Sequence, residues 1–273
     1  MKKIYFLDRN AISEIKKSVD GAKTDLSRLR TLKNLDKKGN IISGMLSIRE
    51  GQSKRLETSE QIVHTIEKDL PYLKQFYKTA RTDGDFFIEN KEFTGECFGH
   101  AEGKELNWDI YIKFINYVQG ILYQPIKFSN RLEYAKKIIL ESKSLGMPKG
   151  HLIVGCALAS LYGNQSAKKI LKSKPGMSPQ KAEEAAYNSL SDLLCLTRVL
   201  YTQAHVGTDY LVRFLTFDIA LHEFFKSIKI NRFSPIFNGY ESGVFTDLGF
   251  SKKIFSEIDD QEFEELSRII LNT

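Results

Sequence analysis

Apolar residues run without interruption from Ile4 to Leu7 and stop at Asp8 and Asn10, the pattern of a buried strand whose carboxyl end opens into a loop. Asn10 is placed to cap the next helix. Leu26, Leu29, Leu32 and Leu35 then recur at helical spacing, giving the segment Asp25 to Leu35 one apolar stripe to lay on a sheet. A turn from Lys37 to Asn40 leads into the β-branched Ile41-Ile42-Ser43, and a helix with Met45, Leu46, Ile48 and Glu50 comes next. Strand, helix, strand, helix in this order predicts parallel pairing and an α/β fold.

From about Ser59 to Lys172 the periodicity is helical throughout, broken near Pro71, Asp83-Gly84, Gly99 to Gly103, Gln124-Pro125 and Gly146 to Gly150. Lys172 to Pro179 marks a boundary, after which a long helix runs to about Gln203. Leu211 to Phe217 alternates, is rich in Val, Phe, Leu and Thr, and reads as a third strand that again ends in an acid, Asp218. The glycines and the proline between Asn231 and Phe250 predict loop, and Asp260 to Leu271 an amphipathic helix. The expected organisation is a core in two parts, residues 1–57 and 178–273, interrupted by a helical insert over 58–177.

Composition narrows the class. With 273 residues, 42% of them hydrophobic, the chain can bury one substantial core or a core plus an insert. The opening apolar run is too short for an export signal, and Leu152 to Tyr162 falls well short of the roughly 20 residues that span a bilayer. A cytoplasmic protein without a membrane partner is expected. Three scattered cysteines, Cys97, Cys156 and Cys195, argue against a disulfide framework, and the Cys97/His100 spacing has no second pair to complete a zinc site. A net charge of +6 favours a polyanionic partner.

Four acids carry the candidate chemistry. Asp8 and Asp218 each end a strand, and in open α/β sheets the ligand crevice lies at that edge, although for either acid alone capping the next helix is the plainer role. Glu50 comes after the second strand on a helix face shared with Leu46 and Ser47, with pairing to Arg49 or Lys54 as its other role. Asp192 interrupts the apolar run Leu190, Leu193, Leu194, Leu196 one turn after Asn188, where satisfaction by Asn188 or Arg198 is the plainer alternative. Carboxylates gathered in one pocket repel unless they are protonated or neutralised by a hard cation, and oxygen ligands select Mg2+ or Mn2+.

At this point the chain resembles the PIN domain family. The strand ending in Leu7-Asp8-Arg9-Asn10 with Ser13-Glu14 shortly after, the strand-then-helix element from Ile41 to Glu50, the helical Asp192, and Thr216-Phe217-Asp218 after a late strand match that family's acids in order and in element type. The match covers roughly the first 57 residues and the region after about Ser178. It implies a PIN-like three-layer α/β fold with a parallel sheet, and a metal-dependent nuclease, RNA before DNA, in which water activated by the cation attacks phosphorus. Asp8, Glu50, Asp192 and Asp218 are then the catalytic and metal-binding residues, with Arg9, Asn10, Asn188 and Thr216 as substrate contacts and Glu14 peripheral. Arg9 departs from the family's Thr and puts a cation beside the metal, either to touch the scissile phosphate or to pair with Glu14. An antitoxin or other protein partner and a homo-oligomer both fit the resemblance, as do roles in a toxin pair, in phage defence or in RNA maturation.

No nucleophile elbow, phosphate-binding loop or dinucleotide fingerprint accompanies these acids. Two other functions compete: a noncatalytic PIN-like nucleic-acid-binding protein, and a small-molecule phosphohydrolase, for which Asp8-Arg9-Asn10 lacks the second acid of an Asp-x-Asp pattern. Phe76, Tyr77, Phe86, Phe87, Tyr111 and Phe114, interleaved with lysines, read as core before they read as a base-stacking surface.

Overall fold

The computed structural model describes residues 2–51, 57–99, 107–147, 151–206, 209–228, 232–238, 241–247 and 252–272, the backbone alone at 204–205, 232–238, 241–247 and 271–272. The order is β1 (Lys2–Leu7), α1 (Arg9–Val19), α2 (Leu26–Lys33), β2 (Asn40–Ser43), α3 (Met45–Glu50), α4 (Ser59–Asp69), α5 (Pro71–Phe76), β3 (Arg81–Thr82), α6 (Gly84–Glu89) and α7 (Lys91–Phe98). After these come α8 (Trp108–Ile121), α9 (Arg131–Ser144), α10 (Leu152–Leu161), α11 (Gln165–Leu171), α12 (Pro179–His205), β4 (Tyr210–Leu215), α13 (Ile219–Ser227), β5 (Arg232–Asn238), β6 (Glu241–Asp247) and α14 (Asp260–Asn272).

The fold is α/β around a four-stranded parallel sheet of order β3-β2-β1-β4. β1 sits between β2 and β4, in register Phe6↔Ser43 on one side and Leu7↔Leu215 on the other. The chain leaves β1 toward β2 and β3, then returns much later to add β4 on the opposite side, so the strand order reverses at the β1/β4 boundary. A crevice is expected at the carboxyl ends of strands that part in this way.

β3 lies inside the segment expected to be helical throughout. Its two residues pair with Ile41 and Ile42, and they carry no apolar run for a sequence pattern to catch. A side chain holds the approach to it: Asp36 accepts hydrogen bonds from the backbone N–H groups of Lys78 (3.0 Å), Thr79 (2.7 Å) and Ala80 (2.8 Å). Burial works against the charge of Asp36, yet these donors draw its carboxyl below the usual range. The stretch expected as loop between Asn231 and Phe250 also differs, forming the antiparallel hairpin β5–β6 with Phe237 opposite Ser242. Pro235 is accommodated because a two-stranded hairpin has outer edges that need no donor.

The chain divides into two compact units, at places other than 57 and 178. One comprises Met1–Leu106 with Arg198–Asp218, the other Asn107–Thr197 with Ile219–Thr273. In the first, Leu7, Ile12, Ile15, Leu32, Ile42 and Ile48 pack with Ile62, Ile66, Leu70 and Leu73 in one buried cluster, so α4 and α5 belong to the sheet's own core. Tyr77 and Phe87 are buried in it, while Leu26, expected on the sheet-facing stripe, is exposed at the first position of α2. Gln203 near the end of α12 accepts a hydrogen bond from the Val212 N–H at 2.8 Å and so fastens the helix to β4.

In the second unit α10 is the buried centre, every residue from Leu152 to Ala159 being inaccessible. Phe114 is core, and Tyr111 stacks on His151 at 4.7 Å. Among the described residues no helix is long and apolar enough to cross a membrane, and no disulfide joins the three cysteines, Cys97 being exposed and the others buried. His100 lies outside the described residues.

Two glycines give opposite expectations. A Cβ on Gly95 of α7 would lie 2.9 Å from the Ser59 carbonyl oxygen of α4, a backbone atom that cannot turn aside, whereas one on Gly120 of α8 meets nothing within 4 Å. Gly95→Ala is expected to destabilise the chain by about 1–3 kcal/mol. Gly120→Ala, in a helix, is expected to stabilise it by about 0.5–1 kcal/mol. Urea unfolding of both variants checks the pair.

Candidate functional site

The carboxyl edge of the sheet gathers acids because an acid follows three of its strands within three residues. Asp8 comes directly after β1, Asp83 directly after β3, and Asp218 lies three residues past the end of β4. The Asp8 N–H donates to the Leu215 carbonyl at 3.1 Å, carrying the β1–β4 ladder up to the acid itself. Asp218 is set by a short turn in which its N–H donates to the buried Thr216 hydroxyl at 2.9 Å.

Asp8 is buried and caps α1, Oδ1 accepting from the Ala11 N–H at 2.8 Å. Asn10, expected to be that cap, is instead exposed in the first turn and donates its side-chain amide to Asp8 Oδ2 at 3.4 Å. The helix starts too early for Asn10 to take the extended conformation a cap requires, and Asp8 takes it instead. Glu50 ends α3 and turns toward the same corner, its Oε2 accepting the Arg9 N–H at 3.2 Å. Asp8 and the Glu50 carboxylate are thus brought to neighbouring peptide units, and Asp218 to the turn after the adjoining strand.

Arg9 does not pair with Glu14. Its guanidinium donates to the Ser47 carbonyl and to Asp69, both at 3.4 Å, and Lys16 reaches the other oxygen of Asp69. Glu14, buried on α1, accepts from Lys17 at 2.8 Å and from the Asp25 N–H at 3.3 Å. The Lys17 hydrogen bond holds the Glu14 carboxyl below the usual range. The separation arises because Arg9 and Glu14 are five residues apart on the helix, on different faces.

Asp192 and Asn188 lie on the part of α12 that belongs to the second unit, where Lys172 donates to Asp192 Oδ2 at 2.9 Å. Lys172 is a partner that helical spacing does not indicate, reached from the left-handed residue that ends α11.

Two acids escape sequence reasoning. Asp69, at the last position of α4, is buried with two cations against it. Asp83 accepts the Gly44 N–H at 3.0 Å and a hydrogen bond from Ser43, tying the turn that launches α3. Burial pushes its carboxyl up to about 6, and the hydrogen bonds it accepts only partly offset this.

Comparison of the chain with protein-family models, with curated proteins and with solved structures finds no match.

Asp69→Asn leaves Arg9 and Lys16 without their shared counter-charge and is expected to cost about 3 kcal/mol, measured by urea unfolding. Asp83 has a distinct signature in pH. Its folded value, about 6, lies above the ordinary aspartate value, so the folded state binds the extra proton and stability on its account falls as pH rises from about 4 to about 6, then levels. Asp83→Asn is expected to remove that slope and to stabilise the chain by about 1–3 kcal/mol at neutral pH. Melting curves of the two proteins across this window check it.

Proposed function

We propose that the chain is a metal-dependent nuclease with a PIN-like sheet, hydrolysing phosphodiester bonds in RNA. One observation carries the reading: Asp8 and Asp218 follow neighbouring parallel strands, one and three residues past their ends, where the strand order reverses, with the Glu50 carboxylate on the N–H next to Asp8.

The donor set suits magnesium or manganese. Among the described residues there is no group of three or more His, Cys, Asp and Glu side chains placed to hold a metal. Magnesium seldom needs such a cage, since it keeps several waters and takes one or two carboxylates together with substrate phosphates. Asp8 and Asp218 are the natural pair, with Glu50 at the same corner. When bound, the cation acidifies water and neutralises charge developing on the phosphate. The protein's part is placement. The cap on α1 fixes Asp8, the Thr216 turn fixes Asp218, and Asn10, exposed beside Asp8 Oδ2, is placed to donate to a phosphate oxygen. Asp192 enters by family resemblance and is tested on its own.

A noncatalytic nucleic-acid-binding role is the second reading, favoured by the acids' protein partners: Asp8 caps a helix and Asp192 pairs with Lys172. The two separate on Asp8→Asn and Asp218→Asn. Asparagine caps a helix as well as aspartate does, so Asp8→Asn is expected to keep the fold. Each variant is expected to lose manganese-dependent cleavage of a labelled RNA by on the order of 100-fold or more, while keeping its melting temperature and RNA binding. Asp192→Asn joins the series as the test of the fourth acid. Full cleavage by Asp8→Asn and Asp218→Asn would sink the assignment, and a wild-type chain that binds RNA without cleaving it would favour the second reading.

A further inference from the structure

Arg9 is the phosphate contact expected from the sequence, but its guanidinium is spent on Ser47 and Asp69. Another arginine stands in a different state. Arg28, in the first turn of α2, lays its guanidinium over the Phe217 ring at 5.1 Å, and Phe217 lies between Thr216 and Asp218. Glu14 and Asp25 approach it only at 3.9 Å, the outer limit of an ion pair, and among the described residues its guanidinium donates no hydrogen bond. Its side chain is 42% exposed.

A guanidinium presents donors in a fixed planar fork that matches two phosphate oxygens. Stacking on an aromatic face removes the rotational freedom that an arginine otherwise loses on binding. Two loosely placed carboxylates keep the cation in place without using its donors. We infer that Arg28, held on Phe217, is the residue that grips a substrate phosphate beside Asp218, and that Arg9 instead braces the acids from behind. This rests on the nuclease reading for its substrate, and it separates from that reading because binding is measured without catalysis.

The full chain is titrated with a labelled single-stranded RNA in EDTA, between about 50 and 200 mM salt. Arg28→Gln is expected to raise Kd about 10-fold and to lower the salt slope by about one, the mark of a lost phosphate contact. Arg28→Lys is expected to restore the slope but not the full affinity, since it keeps the charge and loses the fork. Phe217→Leu keeps the charge and removes the platform, and is expected to weaken binding with the slope unchanged. Arg30→Gln, on an exposed neighbouring position of α2, is the control for bulk charge. An Arg28→Gln protein that binds RNA with wild-type affinity and slope would overturn the inference, as would an equal effect of Arg30→Gln. A wild-type chain that does not bind RNA at low salt overturns it together with the nuclease reading, whereas binding without cleavage in manganese overturns the nuclease alone.

Discussion

A cation wedged among carboxylates holds the corner of the sheet on which everything else depends. Arg9 comes directly after Asp8, gives its backbone N–H to Glu50, and sends its side chain to the Ser47 carbonyl and to Asp69. One residue therefore connects the end of β1 with two helices beyond β2, α3 that carries Glu50 and α4 that ends at Asp69. Asp69 is buried, so its charge is tolerated because Arg9 and Lys16 both compensate it.

Around this corner the acids divide into two kinds. Asp69 and Glu14 are each clasped by cations, and Asp36 by three backbone donors, and they act as fasteners between helices, turns and strand. Asp83 is different, an acid that takes hydrogen bonds from a hydroxyl and an amide and has no ion pair among the described residues, so that burial outweighs its donors and raises its proton affinity. Asp8 caps a helix with one oxygen and accepts from the amide side chain of Asn10 with the other.

How far the structure is legible in the sequence depends on whether an element carries its own signal. β1, β2 and β4 bring their own apolar residues, so the acids ending β1 and β4 stand out, and the parallel sheet with them. β3 is two polar residues held by Asp36 and by β2, a strand made by its surroundings, and so Asp83 behind it reads as a helix break. Asp69 sits at the end of an amphipathic helix, where an acid ordinarily faces water; only the tertiary approach of Arg9 and Lys16 makes it a buried residue. The hairpin from Arg232 to Asp247 hides because its glycines and proline outweigh its alternating pattern. The division into units is obscured for a related reason. Helical periodicity continues from one unit into the next, and nothing in a stripe of leucines says which core it will join.

The position of β4 has a consequence for how the chain comes into being. Lys2 pairs with Tyr210, a separation of 210 − 2 = 208 residues, so a central strand of the sheet is synthesised that far ahead of its second neighbour. At ribosomal speed that interval is about 10–40 s, during which β1 has β2 on one side and an unsatisfied edge on the other. Such an edge is a template for any other extended chain. The nascent protein must spend this time either shielded or only loosely folded, and the sheet can lock only when the returning strand closes it. Early release, truncation before β4 or overcrowded expression should therefore yield aggregates joined through β1, even though the finished molecule has that strand paired on both sides.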